Sequence, residues 1–226
     1  MSDPKLTLED TLPLPNSSVR IPRLGFGIYQ SPRDVCIKSC LTALKAGYRH
    51  IDSAQFYQNE SEMGEAARQS GIPRSSLFLT TKILTTGGSP DATYKKCLQS
   101  VQKVDGEKGY VDLFLIHTWS GGPAARKELW QALERLESEG RAKVIGVSNF
   151  GVGHIEEMKP WARVWPPHVN QIEVCHYCLW LKCLRLATLT RYHHAASSMV
   201  STADNSRLLP KEQDRCGSLL PSCPKS

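Results

Sequence analysis

The rhythm of apolar and polar positions changes several times along the chain, and each change marks an element. The first twenty-three residues alternate about PNSS (15–18), which predicts a β-hairpin. LGFGIY (24–29) then reads as a short strand carrying glycines. VCIKSCLTALKAG (35–47) has apolar residues at helical spacing and ends on Gly47, a good helix stop. Tyr48–Ile51 reads as a strand, Glu60–Gln69 as a helix, LFLTTKI (77–83) as a strand and ATYKKCLQSVQKV (92–104) as a helix. VDLFLIH (111–117) is almost wholly apolar, as a strand buried on both faces must be. ARKELWQALERLESEG (125–140) is a helix, AKVIGVSNF (142–150) a strand, HIEEMKPWA (154–162) a short helix and HVNQIEV (168–174) another strand.

Six β/α steps of about 20–40 residues follow one another from Leu24, and such alternation implies a parallel sheet flanked by helices. Both an open doubly wound sheet and a (β/α)8 barrel fit. The open dinucleotide fold wants G-x-G-x-x-G in its first turn, and no third glycine follows Gly25 and Gly27. Asp52, Lys82, His117, Ser148, Asn149 and Gln171 all fall at or just past the C-terminal ends of predicted strands. A barrel builds its active site there, so the barrel is the better reading.

Asp52, Tyr57, Lys82 and His117 therefore converge on neighbouring strand ends. A free tyrosine has a pKa of about 10 and is a poor acid at neutral pH. An ammonium beside it favours the phenolate, and a carboxylate can hold that ammonium in place. Such a tyrosine could protonate a carbonyl oxygen, with a histidine aiming the carbonyl and a reduced nicotinamide supplying hydride. Each residue alone has a plainer reading: a rim aromatic, a solvated lysine, a helix-capping aspartate, a core histidine. Four at adjacent strand ends make that account less economical.

GYRHIDSAQFYQNE (47–60), LFLTTK, LFLIH, LERLESEGRAKVIGVSNF (133–150) and VNQIE (169–173) together closely resemble the aldo-keto reductase family, over about residues 5–174. The resemblance implies an α/β fold, a (β/α)8 TIM barrel here cut to about six β/α units, with an N-terminal hairpin plugging its floor. It implies Tyr57 as general acid, Asp52 and Lys82 as its tuning pair and His117 as the carbonyl-orienting group. Asp52, Ser148, Asn149 and Gln171 match cofactor-binding positions. Tyr29, Phe56 and Trp119, with His117, match or adjoin positions lining the substrate pocket, and the three aromatics could equally be ordinary rim residues. The implied cofactor is NADPH, bound without a glycine-rich fingerprint. The implied substrate is an aldehyde or ketone, a small-molecule or secondary-metabolite carbonyl.

After Val174 the character changes, and the chain divides into a barrel portion (1–174) and a tail (175–226). Residues 1–174 carry 21 basic and 19 acidic side chains, the remaining 52 carry 7 and 3, so most of the excess charge of +6 sits in the tail. It has no regular basic face, and a nucleic-acid role is not expected. Leu179, Cys183, Leu186 and Thr190 could form one face of a weak helix; beyond His194 no β/α rhythm continues. Five of the eight cysteines crowd into the tail. Cys175, His176 and Cys178 resemble half a zinc site without an evident fourth ligand, so no metal is expected. The break reads as a shifted frame or retained intron, and strands one and six are expected to be sheet edges. MSDPKLTLED has the marks of neither a signal nor a transit peptide, and no run of about 18 apolar residues occurs. The expectation is a cytoplasmic protein with reduced thiols and no membrane contact. An inactive reductase remnant that acts through a binding partner is the alternative to an active enzyme. No feature of the sequence sets an oligomeric state.

Overall fold

A computed structural model describes residues 7–173. β1 (Thr11–Pro13) and β2 (Arg20–Pro22) form the predicted antiparallel hairpin, pairing Leu12 with Ile21. The chain then runs through β3 (Phe26–Gly27), α1 (Arg33–Lys45), β4 (His50–Asp52), α2 (Glu60–Gln69), β5 (Phe78–Ile83) and α3 (Pro90–Asp105). It continues with β6 (Val111–Ile116), α4 (Gly122–Ser138), β7 (Ala142–Ser148), α5 (Val152–Met158) and β8 (Asn170–Gln171). β3 to β8 lie side by side in sequence order, all parallel, in one six-stranded sheet. β3 and β8 end it, and among the described residues neither pairs with a further strand.

Strand periodicity separates two cores. Leu79, Ile83, Phe114, Ile116, Ile145 and Val147 face the helices and pack with Cys36, Cys40, Leu44, Cys97, Trp130 and Leu133. Phe78, Leu113, Leu115 and Val144 face the other way, into the concave side, where Leu14 and Ile21 of the hairpin region meet them. The hairpin thus closes the floor of the curled sheet. Asp52, Lys82, His117 and Ser148 have the parity of this inner set, since residues two apart share a face. The registry Asp52↔Thr80, Lys82↔Leu115 and Leu115↔Gly146 aligns their strand ends.

Several boundaries differ from the sequence reading. α3 starts at Pro90 behind Ser89, whose hydroxyl accepts from the Ala92 N–H, and α4 starts at Gly122 with Pro123 in its first turn. Both openings use a proline at the helix start, where its missing N–H costs nothing. α5 spans Val152–Met158 rather than 154–162: Lys159 keeps helical backbone (φ −51°, ψ −43°), but Pro160 has no N–H to continue the helical hydrogen bonds. β3 and β8 are two-residue strands, shorter than the runs 24–29 and 168–174: at a sheet edge, a ladder on one side alone holds the backbone.

Glycine matters where α2 meets α3: a Cβ on Gly64 would lie 2.3 Å from the Val104 carbonyl oxygen. Cys36, Cys40 and Cys97 are free, buried thiols, and burial pushes Cys40 and Cys97 up to about 12. Among the described residues no helix is long and apolar enough to cross a membrane, and no group of three or more His, Cys, Asp or Glu could hold a metal. The tail with Cys175, His176 and Cys178 and the weak helical face from Leu179 to Thr190 lies outside the described residues.

Candidate active site

The C-terminal ends of β4, β5, β6, β7 and β8 gather polar side chains on one side of the sheet. Asp52, the last residue of β4, and Lys82, on β5, form a short ion pair with Lys82 only 1 % exposed. The ammonium also donates to the Ser53 carbonyl at 2.9 Å. The other Asp52 oxygen accepts from the Gln171 amide at 3.1 Å, so β4 and β8 are linked. Burying two charges is costly unless they are paired and further hydrogen-bonded, and this pair meets both conditions.

Tyr57 ends a short 3-10 turn (Gln55–Tyr57) after β4, and His117 directly follows β6, its N–H bonded to the Ile83 carbonyl. Their side chains meet, with the phenol oxygen 3.4 Å from imidazole Nε2. The Lys82 ammonium stands 5.2 Å from the centroid of the Tyr57 ring. Tyr29 packs on Tyr57 with ring centroids 4.8 Å apart, and Phe56 lies edge-on to His117 at 6.3 Å. Tyr29 and Phe56 are both exposed. Trp119, also exposed, makes its ring contact elsewhere, stacking on His154 of α5 at 5.1 Å.

The electrostatics run opposite to the tuning expected of Lys82, which favours a more acidic Tyr57. Burial is the main cause that pushes Tyr57 well above an ordinary tyrosine, with Asp52, Glu173 and Tyr29 adding to it. The charge of Lys82 is taken up by Asp52 and the Ser53 carbonyl, so it does not reverse that direction. Burial, then the Lys82 charge, pushes His117 down to about 4, with Asp52 opposing. At neutral pH the site therefore presents a protonated phenol and a neutral imidazole. The imidazole Nδ1 is buried and, among the described residues, has no hydrogen-bond partner.

Ser148, Asn149 and Gln171 form the wall beside this group. The Ser148 hydroxyl donates to the Gln171 carbonyl at 2.9 Å, and the Asn149 N–H donates to the same oxygen at 2.8 Å. Asn149 adopts a left-handed backbone (φ 58°), which asparagine tolerates well, and its side-chain oxygen accepts from the Glu173 N–H at 3.1 Å. Two side-chain amides and a hydroxyl next to a carboxylate suit a planar carboxamide, which needs both donors and acceptors.

Sequence reasoning passed over two residues. Asn59 and Glu60 stand in the same QNE run as Tyr57 and are buried, Asn59 bridging Ser53 and Ile28 and Glu60 accepting from Thr81 at 2.6 Å. Burial of α2's first turn was the missing information, because a polar run ahead of a helix reads as solvated capping.

The Aldo/keto reductase family profile matches residues 23–191, starting after the hairpin and running past Val174. An uncharacterized oxidoreductase of Schizosaccharomyces pombe is 39% identical over 170 residues, covering 72% of this chain and 58% of the relative. The glyoxal reductase of Bacillus subtilis is 37% identical over 168 residues, covering 74% and 59%. Among solved structures, an aldo/keto reductase from Brucella melitensis superposes with a TM-score of 0.67 at 38% identity, over 78% of this chain and 69% of that one. A Bombyx mori aldo-keto reductase in complex with NADP gives 0.66 at 29% identity, over 80% and 64%. The chain spans just under three fifths of the length of these two curated relatives.

Proposed function

The chain belongs to the aldo-keto reductase family, and from that premise we propose that it reduces small aldehydes or ketones to alcohols with NADPH, Tyr57 serving as general acid. The observation that carries this reading is the meeting of the Tyr57 hydroxyl and His117 Nε2 at 3.4 Å, in front of the buried Lys82–Asp52 pair.

Bound NADPH would supply the hydride, which no side chain can. The remaining work falls to the chain. A carbonyl oxygen placed between the Tyr57 hydroxyl and His117 is aimed by a neutral imidazole that donates from Nε2 without acting as an acid. As negative charge develops on that oxygen, the phenol O–H bond breaks and the alcohol O–H bond forms. The phenolate left behind faces the Lys82 ammonium, fixed in place by Asp52 and Ser53 before the reaction begins. Burial keeps Tyr57 protonated until that moment. Ser148, Asn149 and Gln171 would hold the carboxamide of the nicotinamide, and we assign no described residue to the adenosine end. The glyoxal reductase activity of a relative makes small dicarbonyls the first substrates to try.

The test is an NADPH titration of the purified chain, followed through cofactor fluorescence, and then turnover of glyoxal and methylglyoxal. Saturable binding that weakens in Gln171→Ala, with turnover lost in Tyr57→Phe, is the expected result. A second reading, a non-catalytic remnant that binds a partner through its open edges, is favoured by β3 and β8, which among the described residues each pair on one side only. A soluble, folded chain that ignores NADPH would select it.

A further inference from the structure

We propose that Asn59 is a positioning residue, a buried amide that closes the loop carrying Tyr57 and ties it to the ends of β3 and β4. For its catalytic consequence this inference rests on the reductase reading; for its structural one it stands alone. Asn59 is 1 % exposed. Its Oδ1 accepts from the Ser53 hydroxyl at 2.7 Å, so residues 53–59 form a closed loop with Tyr57 inside it. Its Nδ2 donates to the Ile28 carbonyl at 2.8 Å. The Ile28 N–H in turn donates to the Asp52 carbonyl at 3.0 Å.

Every segment that Asn59 touches carries a neighbour of Tyr57. Ile28 precedes Tyr29, whose ring packs on the Tyr57 ring. Ser53 follows Asp52 and offers its carbonyl to Lys82. Gln58, between Tyr57 and Asn59, holds a left-handed backbone (φ 57°), and its carbonyl accepts from Arg33 Nε at 3.0 Å. A non-glycine residue in that conformation costs about 1 kcal/mol and persists only where its surroundings enforce it. Hydrogen-bond inventory agrees: with both amide ends engaged, loss of either partner strands a buried polar atom.

The experiment compares Ser53→Ala, Asn59→Ala and the double variant by three readings. The first is the His117 titration by NMR, which needs neither cofactor nor turnover. The others are kcat against KM for carbonyl reduction, and the urea midpoint. Freed from its clamp, Tyr57 moves away from His117 and admits water. The His117 midpoint should then rise from about 4 toward its ordinary value of about 6.5 in each variant. kcat should fall by about tenfold to a hundredfold with KM little changed, as a small misplacement of a reacting group predicts. The double variant should behave like Asn59→Ala, which already removes the bond to Ser53 together with the one to Ile28, and Ser53→Ala should show the smaller effect. Variants that lose stability while His117 and kcat stay at parental values would overturn the proposal. If Asn59→Ala does not fold, Ser53→Ala decides by the same readings. A parent chain without turnover would sink the reductase reading and leave the His117 titration to judge the clamp.

Discussion

The sheet holds a buried carboxylate near each of its ends, and the two are treated differently. At the floor, Asp112 of β6 receives Arg74 Nη1 at 2.8 Å, Lys143 Nζ at 2.8 Å and the Leu79 N–H at 2.9 Å. Three elements thus converge on one acceptor. At the top, Asp52 holds Lys82 and Gln171, while beside them a phenol stays half exposed and an imidazole nitrogen has no partner among the described residues. The Asp112 carboxylate is fully engaged, although Arg74 Nε has only an ion-pair contact with Asp105 at 3.2 Å; an engaged acceptor rigidifies a structure, and a free polar atom leaves room for a ligand's. The floor is built to hold the barrel, and the top to hold something else.

That contrast can be broken most sharply at Tyr57. Tyr57→Phe should reduce carbonyl turnover by about 10²–10⁴-fold, the usual scale of lost acid catalysis. Its urea midpoint should stay within about 0.5 kcal/mol of the parent in stability. Asp112→Ala should do the reverse. Stranding the Leu79 N–H and the Arg74 charge is expected to cost about 3 kcal/mol in stability, with turnover per folded molecule unchanged. A large loss of specific activity from the floor variant would dissolve the distinction.

A smaller effect sharpens it through pH. Burial pushes His50, inside the sheet beside Thr80, down to about 4, opposed chiefly by Asp52. Between pH 6.5 and 4 the unfolded chain binds a proton that the folded chain refuses. Stability therefore falls as pH drops through that window and levels off below it, by an amount on the order of 3 kcal/mol for a fully buried group. Glu137, pushed up to about 6 by burial and Glu134, acts with the opposite sign. The difference between His50→Gln and parent isolates the histidine: the variant's stability profile should be flatter across the window, measured by urea midpoints at steps of pH. Equal slopes would place water around His50.

Much of this was legible beforehand because periodicity is local. The apolar run 111–117 and the helix 125–140 announce themselves, and Asp52, Lys82 and His117 could be placed at strand ends by counting. The failures share a cause. β3 and β8 came out as two-residue strands because pairing at an edge is set by neighbours that a linear pattern does not show. The stacking of Trp119 on His154, thirty-five positions later, was equally invisible to a linear pattern, and it falls on a helix whose start was misjudged. The more acidic Tyr57 expected beside Lys82 gave way to a less acidic one, since the direction of a pKa depends on the whole surroundings, and burial outweighs an ammonium already engaged.

The amino-acid sequence by itself determined the β/α order, the parity that turns Asp52, Lys82, His117 and Ser148 to one face, and the family whose motifs these are. Only the tertiary structure decided that Gln171 reaches Asp52, 119 positions away, that Asn59 closes the loop around Tyr57, and that Lys82 is held by Asp52 and Ser53. Side-chain direction follows from backbone repeat, which a sequence carries; burial and long-range contact follow from which surfaces meet, which it carries only through the fold.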